Sequence, residues 1–283
     1  MEAWFAAARG GNAECMNQHS SHRQFALVTG ASSGIGKALA AEFARHDFDL
    51  LLVAEDAGLQ DAARELSAAG SNVDTLQTDL SKPDGVESVA ARIEASGRAL
   101  DAAAINAGIG VGGEFITTPL KRELTLIDLN CRSTVHLTKR ILPAMVQRGE
   151  GKLLFTSSIA GVMATPYEAV YGASKAFVKS FAAVVRNEVK ERGVTVTTLM
   201  PGPTDTNFFH RAGMDDTKIG AEQNKADPSL VAREGFDALM AGKEEHIAGS
   251  LQTKVEGMSA RVLPEAVTAG RHGSAAKPGS VSN

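Results

Sequence analysis

Cysteine is nearly missing from this chain: two residues in 283, Cys15 and Cys131. Two scattered thiols exclude a disulfide framework and make a reducing, cytoplasmic setting the default expectation. Cys131 reads as a small buried hydrophobe rather than a nucleophile. Long apolar runs are missing too. Nothing approaches the about 18 residues of a membrane span, and the start Met1-Glu2-Ala3-Trp4-Phe5 lacks a charged-then-apolar signal pattern. A strong excess of one charge is also absent. With 33 acidic residues against 29 lysines and arginines, the net charge of −4 gives no reason to expect nucleic acid or an anionic membrane as partner. The seven histidines show no metal-ligand spacing, so no metal site is expected.

What is there is an ordinary globular composition, 43% hydrophobic and 22% charged, long enough for one large α/β domain. Residues 1–23 mix Gly, Asn, Ser and His without period and read as a flexible extension. From Gln24 the pattern changes. Phe25–Val28, Asp49–Ala54, Val73–Gln77, Ala102–Ile105, Lys152–Ser157 and Val194–Met200 read as short buried strands, with a further one at 245–249. Between them lie helical periodicities at about 35–45, 57–69, 84–95, 119–148, 169–191 and 228–241. Strands alternating with helices and lacking hairpin signals predict a single doubly wound Rossmann domain over 24–269. Its sheet is expected to be mostly parallel, with roughly seven strands and helices on both faces. Residues 203–227 form a polar connection long enough to be functional, a helix is expected over 251–269, and 270–283 read as a Gly/Ser/Pro tail.

The turn Thr29-Gly30-Ala31-Ser32-Ser33-Gly34-Ile35-Gly36 joins a strand to a helix. Glycines there let a pyrophosphate approach the main chain, and the helix start offers unpaired N–H groups and a positive dipole end. A loop that simply turns tightly would look the same in isolation. Ligands of such sheets bind at the carboxyl ends of the strands. Gly30, Asp79, Asn106, Ser158 and Pro201-Gly202 all fall at strand ends and should converge on one crevice.

Tyr171 and Lys175 are four residues apart, one turn along the same helix face. An ammonium near a phenol favours the phenolate and lowers a pKa that is ordinarily about 10. Such a tyrosine can exchange a proton with a carbonyl or alcohol oxygen. Ser158, thirteen residues upstream of Tyr171, has a hydroxyl suited to hold the same oxygen. Its neighbour Ser157 should face the opposite side. A helix with one buried ring and one solvated lysine would give the same pair.

Together these segments resemble a short-chain dehydrogenase/reductase over roughly 24–250. Four signals carry the likeness: the Thr29–Gly36 turn, Asn106-Ala107-Gly108, Ser158 with Tyr171 and Lys175, and Pro201-Gly202. The resemblance implies Tyr171 as general acid/base and Lys175 as the group lowering its pKa and binding the nicotinamide ribose. It implies Ser158 as the substrate-positioning hydroxyl, and Asn130 as holder of a water that relays protons from Lys175. Gly30, Ser32, Ser33, Gly34, Ile35 and Gly36 would meet the pyrophosphate, and Asp79 and Leu80 the adenine. Asn106, Ala107 and Gly108 would flank the adenine ribose, while Pro201, Gly202, Thr204 and Thr206 would cover the nicotinamide.

The cofactor would be NAD or NADP. After the second strand come Glu55 and Asp56, with no base, and a carboxylate there repels a 2′-phosphate, which favours NAD. Lys37 and Arg45 are the nearest compensating bases. The implied reaction interconverts a secondary alcohol and a ketone, with Val162, Met163, Tyr167, Phe208 and Phe209 suggesting an apolar substrate. The other readings are a non-catalytic dinucleotide-binding sensor or scaffold, and epimerisation or dehydration on the same fold. The resemblance also implies a homodimer or homotetramer through the helices at 119–148 and 169–191.

Overall fold

The computed structural model describes residues 23–281. The expected extension over 1–23 therefore lies, apart from Arg23, outside the described residues. Seven strands form one parallel sheet in the order β3-β2-β1-β4-β5-β6-β7. They are β1 (Gln24–Thr29), β2 (Phe48–Ala54), β3 (Val73–Gln77), β4 (Ala102–Ile105), β5 (Gly151–Thr156), β6 (Val194–Pro201) and β7 (Glu245–Ala248). The chain runs outward from β1 to β3, returns to the other side of β1 at β4, and continues to β7. That reversal leaves a crevice beyond the carboxyl ends of β1 and β4, where open α/β sheets bind ligands.

Alternation along the strands assigns each apolar residue to a layer. Ala26 and Val28 of β1, with Leu50 and Leu52 of β2, pack under α1 (Gly34–Arg45) and α9 (Pro228–Met240) through Leu39, Phe43, Phe236 and Leu239. The Phe43 and Phe236 rings meet edge to face at 5.1 Å. α2 (Gly58–Ala68) joins this layer through Leu59. Phe25, Leu27, Leu51 and Val53 point the other way, onto α3 (Pro83–Ala95), α5 (Ser133–Arg148) and α6 (Ala169–Val189). The central strands are apolar on both faces because both faces are covered.

The helix expected over 119–148 is two helices, α4 (Leu120–Ile127) and α5, joined by a π turn at Asp128–Arg132. The wider turn leaves Asn130 buried. The connection 203–227 folds into α7 (Phe208–Ala212) and α8 (Lys218–Ala221). Instead of one helix over 251–269 there are α10 (Leu251–Ser259) and α11 (Glu265–Ala276), the second starting after Pro264. Proline fixes its own φ and has no N–H to donate, so it belongs at a helix start rather than inside one. The segment read as a tail from 270 is thus helical through Ala276, and His272 and Ala276 are buried. No helix among the described residues is long and apolar enough to cross a membrane.

Candidate active site

The first support for the site is a knot between β1 and β4. Thr29, wholly buried, accepts hydrogen bonds on Oγ1 from the backbone N–H groups of Asn106 (2.9 Å) and Ala107 (3.0 Å). The Asn106 side-chain amide returns a bond to the Thr29 carbonyl at 3.1 Å. The glycine turn and the Asn106–Gly108 turn are thereby held against each other. A Cβ on Gly36 would sit 2.0 Å from the Gly30 carbonyl oxygen and 2.6 Å from Asn106 Nδ2, so only glycine allows this approach. Ser33 caps α1 in an extended conformation without a side-chain hydrogen bond. The first N–H groups of that helix are therefore left to an anion.

The residues expected at the site come together around one cavity of about 280 Å³. Gly30 and Ser32 to Gly36 line it from the turn after β1, Glu55 from the end of β2, and Asp79 and Leu80 from the end of β3. Asn106, Ala107 and Gly108 follow β4, Ser158 follows β5, and Tyr171 and Lys175 project from α6. Pro201, Gly202, Thr204 and Thr206 complete the wall from the end of β6. A glycine cradle, an uncapped helix start and an elongated lining that ends at a buried phenol and ammonium fit a dinucleotide.

Of the residues expected there, Val162 and Tyr167 are off the wall, and so is Asn130. Its Oδ1 accepts from the Ile109 N–H at 3.0 Å, and its Nδ2 donates to the Ile109 carbonyl (3.0 Å) and to Ser174 Oγ (2.9 Å). Its own carbonyl accepts the Thr134 hydroxyl at 2.8 Å. Asn130 therefore braces the segment after β4 against α6. A Cβ on Gly108 would meet both Asn130 Oδ1 (3.0 Å) and Lys175 Nζ (3.2 Å), so these groups crowd the same backbone atom.

Ser157 and Ser158 bond in different directions, although both border the cavity. Ser157 Oγ donates to the Lys175 carbonyl at 2.7 Å, fastening the end of β5 to α6. Ser158 Oγ donates to the Pro201 carbonyl at 3.3 Å and accepts from the Ala160 N–H at 3.1 Å. Lys175 Nζ donates to the Thr156 carbonyl at 2.9 Å and lies 5.7 Å from the centre of the Tyr171 ring.

The electrostatics differ from the expectation that Lys175 lowers the Tyr171 pKa. Burial raises it, the Glu168 carboxylate raises it further, and the nearby Ser158 hydroxyl offsets only part. Tyr171 is thus held as a neutral phenol, the form that can give a proton to a carbonyl oxygen. Burial pushes Lys175 down to about 8, with Cys131 opposing the fall. The Cys131 thiol is itself raised, first by burial, which leaves little thiolate.

At the far end of the cavity, the Glu55 carbonyl accepts from Gln77 Nε2 at 2.8 Å, and Asp56 accepts from Ser32 Oγ at 2.8 Å. Lys37 and Arg45 do not compensate these acids: they pair with Glu65 (2.7 Å) and Glu42 (3.1 Å) and do not border the cavity. Arg211 of α7 does border it, with its guanidinium 3.7 Å from Asp56. Phe208 covers Tyr171 at 5.1 Å between ring centres.

Four ionisable lining residues were not anticipated: Glu168, Arg211, Glu256 and His272. Glu168 stands three positions before Tyr171, and a lone carboxylate there was the one available signal. His272 had none, since it lies 104 residues further along the chain.

Comparison with known proteins agrees with this architecture. The family model described as short chain dehydrogenase matches residues 24–217. Oxidoreductase UcpA of Salmonella typhimurium is 29% identical over 256 residues, covering 87% of this chain and 97% of its own. A short-chain type dehydrogenase/reductase of Sinorhizobium fredii is 33% identical over 234 residues, covering 82% and 86%. Among solved structures, a short-chain dehydrogenase from Sphingobium yanoikuyae in complex with NADPH superposes with a TM-score of 0.74 at 30% identity, covering 79% of this chain and 87% of that one. The chain belongs to the short-chain dehydrogenase/reductase family and is an oxidoreductase of that family.

Proposed function

We propose that the protein interconverts a secondary alcohol and a ketone with NAD(P), Tyr171 exchanging the proton. The observation that carries this reading is the buried trio of Ser158, Tyr171 and Lys175 at the end of a cavity that begins at the glycine turn. When bound, the nicotinamide supplies or accepts the hydride. Ser158 positions the substrate oxygen, and Tyr171, kept neutral by burial, gives the proton in the reductive direction. Lys175 would hold the nicotinamide ribose while remaining tied to Thr156. Asn130 keeps the Gly108–Ile109 segment in place beside Lys175 and would present a water to it.

Glu55 and Asp56 at the ribose end favour NAD, because a carboxylate repels a 2′-phosphate and accepts from a free hydroxyl. The Sphingobium yanoikuyae relative holds NADPH, so the choice rests on these two acids. Leu124 and Ile127 before the π turn, with Phe177 and Val184 on α6, are exposed apolar residues that support pairing with further copies of the chain. Ile141 and Val185 of the same helical stretches are core.

The test is turnover of a ketone and alcohol panel, read by the absorbance of the reduced nicotinamide. Cofactor binding without turnover of any member would favour the sensor or scaffold reading. Product formation without net change in NAD(P)H would favour epimerisation or dehydration.

A further inference from the structure

One wall of the cavity holds a hydrogen-bonded pair that the proton-transfer scheme does not use. Glu168 Oε2 lies 2.9 Å from His272 Nε2, with side chains 3% and 8% exposed. Both residues border the cavity that contains Tyr171. The surrounding wall is apolar, with Ile159, Met163, Phe208 and Phe209. A few polar groups set in an apolar pocket are what fix a ligand's orientation.

The placement of Glu168 is built into the backbone. Tyr167, immediately before it, has φ +69°, a left-handed conformation that a bulky residue rarely adopts. Gly113 N–H donates to the Tyr167 carbonyl at 2.9 Å and holds that turn. The Glu168 carbonyl is fixed by Gly172 N–H (2.9 Å) and Thr165 Oγ1 (3.2 Å). Strain of this kind, retained beside a site, is a reason to look for a ligand.

Glu168 keeps an unused acceptor oxygen. Its Oε1 has no hydrogen-bond partner among the described residues, and neither has His272 Nδ1. Neither atom is sealed from a probe of water size, unlike Glu123 Oε2 and Thr156 Oγ1. A buried carboxylate is costly, and after burial itself this one is what most opposes ionisation of Tyr171. Such a group is out of place in a pocket for a purely apolar ketone.

We propose that Glu168, oriented by His272, binds a second hydroxyl on the substrate, so that the enzyme acts on hydroxylated ketones and their diols. This rests on the oxidoreductase reading above and names its substrate class. A hydroxyl donates to Glu168 Oε1 while His272 Nε2 holds the other carboxylate oxygen. A carboxylate would face like charge at the same point.

The test uses the full chain loaded with cofactor and a matched set of probes: acetophenone and its 2-, 3′- and 4′-hydroxy derivatives. Binding is followed by calorimetry and turnover by nicotinamide absorbance. A site built to bond a hydroxyl rejects the analogue without it strongly, so one hydroxy isomer should exceed acetophenone by at least about 100-fold in kcat/KM and in affinity. Glu168→Met and His272→Leu should bring that ratio close to one. Because the ratio in the parent protein is informative alone, poorly folding variants do not blunt the test. Equal handling of acetophenone and every hydroxy isomer overturns the proposal, as does an unchanged ratio in Glu168→Met. Tighter binding of 4′-(aminomethyl)acetophenone than of any hydroxy isomer overturns the hydroxyl assignment. Hydroxyl-selective binding without turnover supports the recognition and overturns only the redox reading.

Discussion

Lys175 is tied to the strand that leads to Ser158: its ammonium donates to the Thr156 carbonyl at 2.9 Å, in full burial. The lysine is thereby a structural strut as well as a charge beside the phenol. Its two roles respond differently to pH and to substitution.

Burial lowers the Lys175 pKa from its ordinary value near 10.5 to about 8. Between those values the unfolded chain binds a proton that the folded chain does not, so stability rises with pH across that window. A shift of this size is worth on the order of 3 kcal/mol. Thermal melts of the parent and Lys175→Met should therefore move in the parent's favour between pH 8 and 10. Parallel melting curves across that interval would show that the ammonium is not disfavoured by burial.

Tyr171→Phe removes the phenolic hydroxyl while keeping the ring that packs on Phe208. Turnover should fall by at least about 100-fold, the usual contribution of positioned acid/base chemistry. Dinucleotide affinity should change by less than about threefold, since the glycine turn is untouched. Fluorescence titration and steady-state kinetics measure the two separately.

Thr29→Val keeps the shape and removes the hydroxyl that accepts from Asn106 and Ala107. Two half-buried N–H groups lose their partner, at a cost of about 1–3 kcal/mol each at most. Denaturant unfolding should show a loss of about 2–3 kcal/mol, and cofactor affinity should fall with it. A variant as stable as the parent would show that the knot is not needed.

Glu55→Ala removes one of the two acids at the ribose end. The ratio of kcat/KM with NAD to that with NADP should favour NAD in the parent and narrow by roughly tenfold in the variant, about 1.4 kcal/mol of lost repulsion. A parent that prefers NADP would point instead to Arg211 of α7, whose guanidinium reaches this end.

Much of the fold was legible because it is written locally. Strand ends such as Gly30, Asp79 and Asn106 could be placed from short apolar runs, and parallel order follows from alternation with helices. The break at Asp128–Arg132 was not legible, since a π turn keeps the helical periodicity on both sides. The direction of the Tyr171 shift was missed because burial and the Glu168 charge are properties of the packed molecule. For His272, a polar residue in a glycine- and serine-rich segment gave no hint of a partner 104 residues away.

The helix α11, which brings His272 to the cavity, stands apart from the sheet that holds the glycine turn. His272 is thus carried on a stretch of polypeptide separable from the one that bears Glu168 and Tyr171. Exchanging the final two helices between relatives should retune which molecules are accepted while leaving hydride transfer to an unaltered scaffold.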